Sequence, residues 1–123
     1  MVVYAAFLGQ SNNCTATALY PRQIIKTSQF PYMSLVELLK GPTADEIAKG
    51  ITTQIPANAQ INSYRSVGDM VYVDFDQTLQ SGVAGSCRVQ GIRAQITGTL
   101  KQFLGLNTVI ISINGKTEGI LQP

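Results

Sequence analysis

The spacing of apolar residues changes several times along the chain, and each change marks a new element. Residues 2–8 (VVYAAFL) form a β-rich apolar run, and the turn-prone segment GQSNN follows it. The run therefore predicts a first strand close to the core.

A helical pattern follows. Apolar residues recur at helical spacing up to Leu39, and Gly41 with Pro42 ends the pattern. We expect Ser28 to be the N-cap, because Pro31 then lies where a missing N–H loses no intrahelical bond.

A short helix and a hairpin are predicted next. Thr43 and Glu46 form a capping-box pattern that opens one or two helical turns. Strands are then expected at 59–66 and 70–75, with a turn at Gly68 and Asp69 between them. In the second strand one face is wholly apolar and the other is mixed, so one side of this sheet should be covered. The apolar face carries Val71, Val73 and Phe75, and the mixed face carries Met70, Tyr72 and Asp74.

The second long helix should run from Ser86 to Phe103. Its apolar stripe comprises Val89, Ile92, Ile96, Leu100 and Phe103. Its polar residues Arg88, Gln95, Lys101 and Gln102 are expected to point largely away from the core. Gly91 and Gly98 would allow the helix to approach a sheet closely.

Residues 108–113 (TVIISI) predict an interior strand, because their apolar side chains point both ways. Asn114 and Gly115 should form a turn, and KTEGIL should pair back as a short edge strand. The predicted fold class is α+β, in the order β-α-β-β-α-β. Two long helices pack on one face of a small mixed sheet, and a short satellite helix completes the fold.

Composition indicates one domain spanning 1–123. The chain has 123 residues, of which 45% are hydrophobic, enough for a single core. Charged residues make up 13%, and the net charge is +2 without a run of Lys or Arg, so nucleic-acid binding is disfavoured. No apolar segment is long enough to cross a membrane.

Catalytic chemistry is hard to find. The chain contains no histidine, which excludes Ser-His-Asp and Cys-His enzymes. We therefore predict no catalytic, cofactor or metal residues, and no cofactor. Cys87 at a helix N-terminus could be a reactive thiol, but a disulfide between Cys14 and Cys87 is the preferred interpretation. A disulfide places the protein outside the reducing cytosol. It also indicates that a natural leader or lipid anchor was removed from the chain and replaced by Met1.

Two clusters are candidates for ligand binding. Asp74 and Asp76 could bind a cation or act as an acid–base pair, although bonds to backbone N–H groups at a turn are preferred. Tyr64 and Tyr72 could form an exposed patch for carbohydrate, although ordinary cross-strand packing is preferred.

Four motifs in order carry a resemblance to a known family. They are LVELLKGPT at 35–43, VYVDFD at 71–76, GSCRVQGIRAQITGTLKQF at 85–103 and VIISINGKTEGILQP at 109–123. The chain resembles the GerMN domain, also called the sporulation and spore germination domain. It is most similar to the standalone exported type, in which two cysteines such as Cys14 and Cys87 are the natural disulfide candidates. Phe30 and Pro31 in the first turn of the first long helix depart from the family pattern.

The resemblance implies an extracytoplasmic domain without enzymatic activity, with a fold similar to ring-building modules. Such domains are often tethered by a lipoprotein or transmembrane segment, so contact with the membrane is expected only through an anchor missing here. The first hypothesis is a protein-interaction or assembly module of the bacterial cell envelope, binding envelope proteins or copies of itself. The alternative is a binding domain for cell-wall glycan or a small polar ligand, using Tyr64, Tyr72, Asp74 and Asp76.

Overall fold

The computed structural model describes residues 1–9, 13–25, 29–103 and 105–121. Within these ranges strands and helices follow one another in groups without strict alternation, which confirms the α+β class. In chain order they are β1 (Val2–Leu8), β2 (Thr17–Gln23), α1 (Phe30–Leu39), α2 (Ala44–Ala48), β3 (Ile61–Val67), β4 (Met70–Phe75), α3 (Ser86–Leu100) and β5 (Thr108–Ile113). A short 3-10 helix at Gln77–Gln80 lies between β4 and α3.

The strands form two sheets rather than the single sheet expected. β1 pairs antiparallel with β2, while β4 lies between antiparallel β3 and parallel β5. β2 was not predicted from the sequence. Its residues are mostly exposed and include Pro21, so the strand lacks the apolar alternation that identified the others.

β5 lies at an edge of its sheet, which corrects the prediction of an interior strand. Its apolar residues still point both ways. Ile111 and Ile113 are buried toward the core, whereas Ile110 is half-buried on the opposite side. The predicted edge strand KTEGIL is reduced to an isolated bridge between Ile113 and Lys116.

The helix boundaries follow local signals. α1 begins at Phe30 with Gln29 at the N-cap position, and Pro31 lies in its first turn, where no N–H is needed. The predicted cap Ser28 lies outside the described residues. α2 carries the predicted capping box, since the hydroxyl of Thr43 accepts from the Glu46 N–H and the Glu46 carboxylate accepts from the Thr43 N–H.

The core lies where the two long helices meet both sheets. α1 packs against α3 and β1, and α3 packs against both strands of the first sheet. Four of the five predicted stripe residues of α3 are fully or almost fully buried, and the apolar face of β4 contributes the facing side. The buried residues of these two elements are Val89, Ile92, Ile96, Leu100, Val71, Val73 and Phe75. Each such side chain contributes about 1.5–3 kcal/mol of burial energy.

α3 also closes the free edge of β1, which the sequence did not predict. Gln95 was expected to face away from the core but is completely buried, and its amide donates to the Ala6 carbonyl at 3.1 Å. The Thr99 hydroxyl accepts from the Ala6 N–H at 2.9 Å. Gln102 bonds both the N–H and the carbonyl of Tyr4. Side chains of α3 and of the turn that follows it thus satisfy backbone groups that a neighbouring strand would otherwise occupy.

Two glycines permit this close approach. A Cβ atom on Gly91 would lie 2.9 Å from Cγ of Gln54 and 3.2 Å from the carbonyl oxygen of Cys14. At Gly98 the nearest atom, Oγ1 of Thr17, would lie at 3.3 Å. At Gly98 the predicted approach to a sheet is confirmed, because Thr17 belongs to β2, whereas the two closest atoms at Gly91 belong to residues outside the strands.

Among the described residues, no helix has the length and apolar character needed to cross a bilayer.

Candidate functional site

Cys14 and Cys87 form a disulfide, with their Cα atoms 5.2 Å apart. The bond ties the segment between β1 and β2 to the first turn of α3. Cys87 is exposed and Cys14 is half-buried. The neighbouring cation, Arg88, donates to the carbonyl of Gln54 at 3.2 Å, so it anchors the helix start to another loop.

One face of the three-stranded sheet packs on the core, and we call the opposite one the outer face. Strand register assigns nine residues to it, each of them exposed or half-buried. They are Ser63, Arg65 and Val67 on β3, Met70, Tyr72 and Asp74 on β4, and Thr108, Ile110 and Ser112 on β5. Val67 remains 52% exposed. The predicted mixed side of β4 therefore belongs to a larger mixed surface.

Tyr64 and Tyr72, the two tyrosines considered as one patch from the sequence, lie on different faces of the sheet. Tyr72 pairs with Arg65 on the outer face, whereas Tyr64 pairs with Val73, whose side chain is buried. Because directly opposed residues share a face, Tyr64 and Tyr72 lie on opposite sides of the sheet. The candidate joint patch therefore does not form, and the preferred packing of these two rings across the strands does not occur either.

Asp74 lies on the outer face and is held by three donors. Its carboxylate accepts from the Ser112 hydroxyl at 2.5 Å, from the Gly115 N–H at 2.8 Å and from the Asn62 amide at 3.0 Å. Burial alone would raise the pKa of Asp74, but these three hydrogen bonds outweigh burial and lower it. The carboxylate is thus used to join β4 to the turn after β5.

Asp76 has a local role at the end of β4. It is the N-cap of the 3-10 helix, where its carboxylate accepts from the Thr78 N–H at 3.2 Å, and it also accepts from the Gln60 N–H. This is the turn-capping role preferred from the sequence. Asp74 and Asp76 therefore serve separate turns. Among the described residues, no cluster of three or more His, Cys, Asp or Glu side chains is arranged to hold a metal ion.

The Arg65 guanidinium lies over the ring of Tyr72, 4.6 Å from its centroid. The pair borders a shallow cavity of about 370 Å³ that also contacts Asp74 and Thr117. Arg65 was not singled out from the sequence. The two-residue turn at Gly68 and Asp69 was the signal available, because counting outward from it pairs position 65 with position 72.

A groove runs between the start of α1 and the outer edge of β3. Its volume is about 490 Å³, and the described residues that line it are Gln29, Pro31, Tyr32, Tyr64, Arg65 and Ser66. The rings of Tyr32 and Tyr64 meet edge to face, with centroids 5.9 Å apart. Partial burial raises the pKa of Tyr64. The rings of Tyr32 and Tyr64 thus form the aromatic side of the groove, next to the edge of β3.

The chain is similar to proteins of sporulation. The family described as "Germane: Sporulation and spore germination" matches residues 4–119. The first GerMN domain of the sporulation protein GerM from Bacillus subtilis superposes with a TM-score of 0.72 at 18% identity, covering 95% of this chain and 85% of that domain. The tandem GerMN domains of the same protein give the same score, and this chain spans 40% of their length.

A more distant structure shares the fold. A candidate lipoprotein from Clostridium perfringens matches with a TM-score of 0.61 at 10% identity, covering 94% of this chain and 76% of that one. No curated protein sequence gives a significant match.

Proposed function

Because the chain belongs to the Germane family of sporulation and spore germination domains, we propose that it is a non-enzymatic protein-interaction module of the bacterial cell envelope. Its partners are envelope proteins or further copies of itself. The match spans nearly the whole chain, and the family description refers to a cellular process rather than a reaction. GerM from Bacillus subtilis, which shares the fold, is a sporulation protein.

The observation that carries this proposal is the outer face. It presents apolar side chains such as Val67 and Ile110 among the polar ones, on a sheet whose other side packs mainly on the core. Asp74, which lies on this face, and Asp76, at the end of β4, are bonded to turns and supply no free acid–base pair. Such a mixed surface is compatible with a protein contact, because non-obligate interfaces combine apolar and polar side chains.

An extracytoplasmic location is part of the proposal. Disulfides persist in oxidising compartments, and Cys14 is joined to Cys87 across 73 positions. The structural relative from Clostridium perfringens is a candidate lipoprotein, which agrees with a place at the cell surface.

Site-specific photo-crosslinking tests the proposal. A benzophenone side chain replaces Val67 on the outer face or, as a control, Ile47 on α2, which is 60% exposed. We expect cross-links in envelope fractions from position 67, to one defined protein or to a second copy, and none from position 47. Equal labelling at both positions, or no cross-links together with a monomer at every concentration in sedimentation, would overturn the proposal.

No specific observation favours the alternative, a glycan-binding domain. The Tyr72 ring, which would stack on a sugar, carries the Arg65 guanidinium, and both oxygens of Asp74 already accept hydrogen bonds. Sugar rings would have to displace these internal contacts.

A further inference from the structure

We propose that the groove between α1 and β3 binds an extended peptide segment of a partner protein, which adds to β3 as a new strand. The inference rests on the proposed function and gives that function a site and a class of partner. The peptide site lies at the β3 edge of the three-stranded sheet, whereas the proposed function rests on the outer face of the same sheet.

The first support is the direction of the backbone groups of β3. A two-residue turn makes Val67 and Met70 a hydrogen-bonded pair, and such pairs alternate along an antiparallel ladder. The N–H and carbonyl groups of Tyr64 and Ser66 consequently point away from β4. Within the described ranges no strand pairs with β3 on that side. These groups can pair with an incoming strand.

The edges of the first sheet contrast with this one. The edge of β1 is filled by side chains of α3, including Gln95 and Thr99. On β2, Pro21 has no N–H to offer and its carbonyl accepts from Arg22 at 2.8 Å. Among the described residues no helix covers the edge of β3, β3 itself contains no proline, and the groove beside this edge leaves room for one chain.

The shape and charge of the groove define the peptide. Side chains on the α1 side of an added strand would contact Pro31, Tyr32 and Tyr64, which favours apolar residues there. The intervening side chain would lie on the outer face beside Arg65, which makes no ion pair within the described part of the chain. Since none of the described residues that line the groove is acidic, an acidic side chain complements it. The preferred segment therefore alternates apolar, acidic and apolar residues.

A second copy of the chain fits the edge less well. Antiparallel pairing of two β3 edges centred on Arg65 would bring two guanidinium groups together on one face. It would also bring α1 of each copy toward the other across the same narrow space. A single extended segment avoids both conflicts.

The test uses two acetylated, amidated peptides, GSVEVSG and GSVKVSG, added to the full chain labelled with nitrogen-15. We expect saturable shifts of the Tyr32, Tyr64 and Ser66 amides with GSVEVSG, and at least about tenfold weaker binding of GSVKVSG. Arg65→Glu should invert this preference. Ser66→Pro removes an outward N–H that β4 does not use, and should weaken binding by about tenfold, whereas Ser66→Ala should retain it.

Each variant is first checked for folding by circular dichroism. If Ser66→Pro unfolds, the inverted peptide preference of Arg65→Glu still tests the inference, with Ser66→Ala as the variant that should retain binding. No shifts up to about 1 mM peptide, or shifts confined to β5, would overturn the inference. So would dimerisation of the unmodified chain that Ser66→Pro abolishes, since a second copy would then be the occupant. If cross-linking from position 67 persists while the peptides fail, this inference falls and the proposed function stands.

Discussion

The side-chain amide of Gln95 donates a hydrogen bond of 3.1 Å to the carbonyl oxygen of Ala6, although the two residues lie 89 positions apart. The same amide donates to the Thr53 hydroxyl at 2.8 Å, and its oxygen accepts from the Gln54 N–H at 2.8 Å. One completely buried side chain therefore joins α3 to β1 and to the loop at residues 53 and 54.

Gln95→Ala should destabilise the protein by about 3 kcal/mol. The substitution leaves buried backbone groups of Ala6 and Gln54 unpaired and also creates a cavity. Urea unfolding followed by circular dichroism measures the loss. Gln90→Ala, at an exposed position of the same helix, is the matched control and should change stability by less than about 0.5 kcal/mol. Equal effects of the two substitutions would contradict this account.

Gly91→Ala and Gly98→Ala should differ, although both replace a glycine within α3. Alanine favours a helix by about 1 kcal/mol over glycine. At Gly91 the new Cβ would meet Gln54 at 2.9 Å and the Cys14 carbonyl at 3.2 Å, so a net loss of about 1–2 kcal/mol is expected. At Gly98 the closest atom would lie at 3.3 Å, and stability should change little. Thermal unfolding of both variants measures the two changes in stability. A larger loss of stability for Gly98→Ala than for Gly91→Ala would refute the packing argument.

Removal of the disulfide should cost roughly 4 kcal/mol, because the bond closes a loop of 73 positions and restricts the unfolded chain. The double variant Cys14→Ser with Cys87→Ser provides the measurement by urea unfolding. The unmodified chain in excess dithiothreitol should lose a similar amount, and the double variant should not respond to it. Two reactive thiols in non-reduced, folded protein would show that the bond is absent.

Glu46 should make stability depend on pH in the acidic range. Arg22 binds its carboxylate through two contacts, of 2.6 and 2.8 Å, and this pairing lowers the pKa of Glu46 in the folded state. A lowered pKa means that the stabilising contribution is complete above the ordinary value of 4.5 and is lost as the pH falls below it.

Glu46→Gln is the variant that tests this dependence. The difference in unfolding free energy between the unmodified chain and the variant should be largest at about pH 7 and should shrink by about pH 3. Asp45→Asn, at an exposed position of the same helix, is the control for loss of a carboxylate that Arg22 does not bind. A difference for Glu46→Gln that is constant with pH would exclude the ion pair as its source.

The elements that the sequence predicted correctly depend on neighbouring residues. The capping box at Thr43, the turn at Gly68 and the apolar alternation of β4 are all local signals, and each appears where expected. β2 escaped prediction because Pro21 and its exposed neighbours resemble a loop. The division into two sheets depends on long-range pairing, which no local pattern encodes.

The candidate site was predicted only in part for a related reason. Asp76 was correctly interpreted as a turn cap, since its partner Thr78 lies two positions away. To predict which face of the sheet Tyr64 and Tyr72 occupy, the strand register is needed. The turn supplies that register only when positions are counted outward from it. Gln95 was misplaced because a polar residue bonded to a strand edge looks the same in a sequence as one that faces water.

The closure of the β1 edge has a consequence for the chain as it is synthesised. Strands β1 and β2 are complete within the first 23 residues, but the Thr99 hydroxyl that accepts from Ala6 is made 93 positions later. The outer edge of β1 in this early hairpin therefore stays unpaired until the last quarter of the chain has been synthesised. A factor that shields nascent strands would act during that interval, and translational pausing before Ser86 would prolong it.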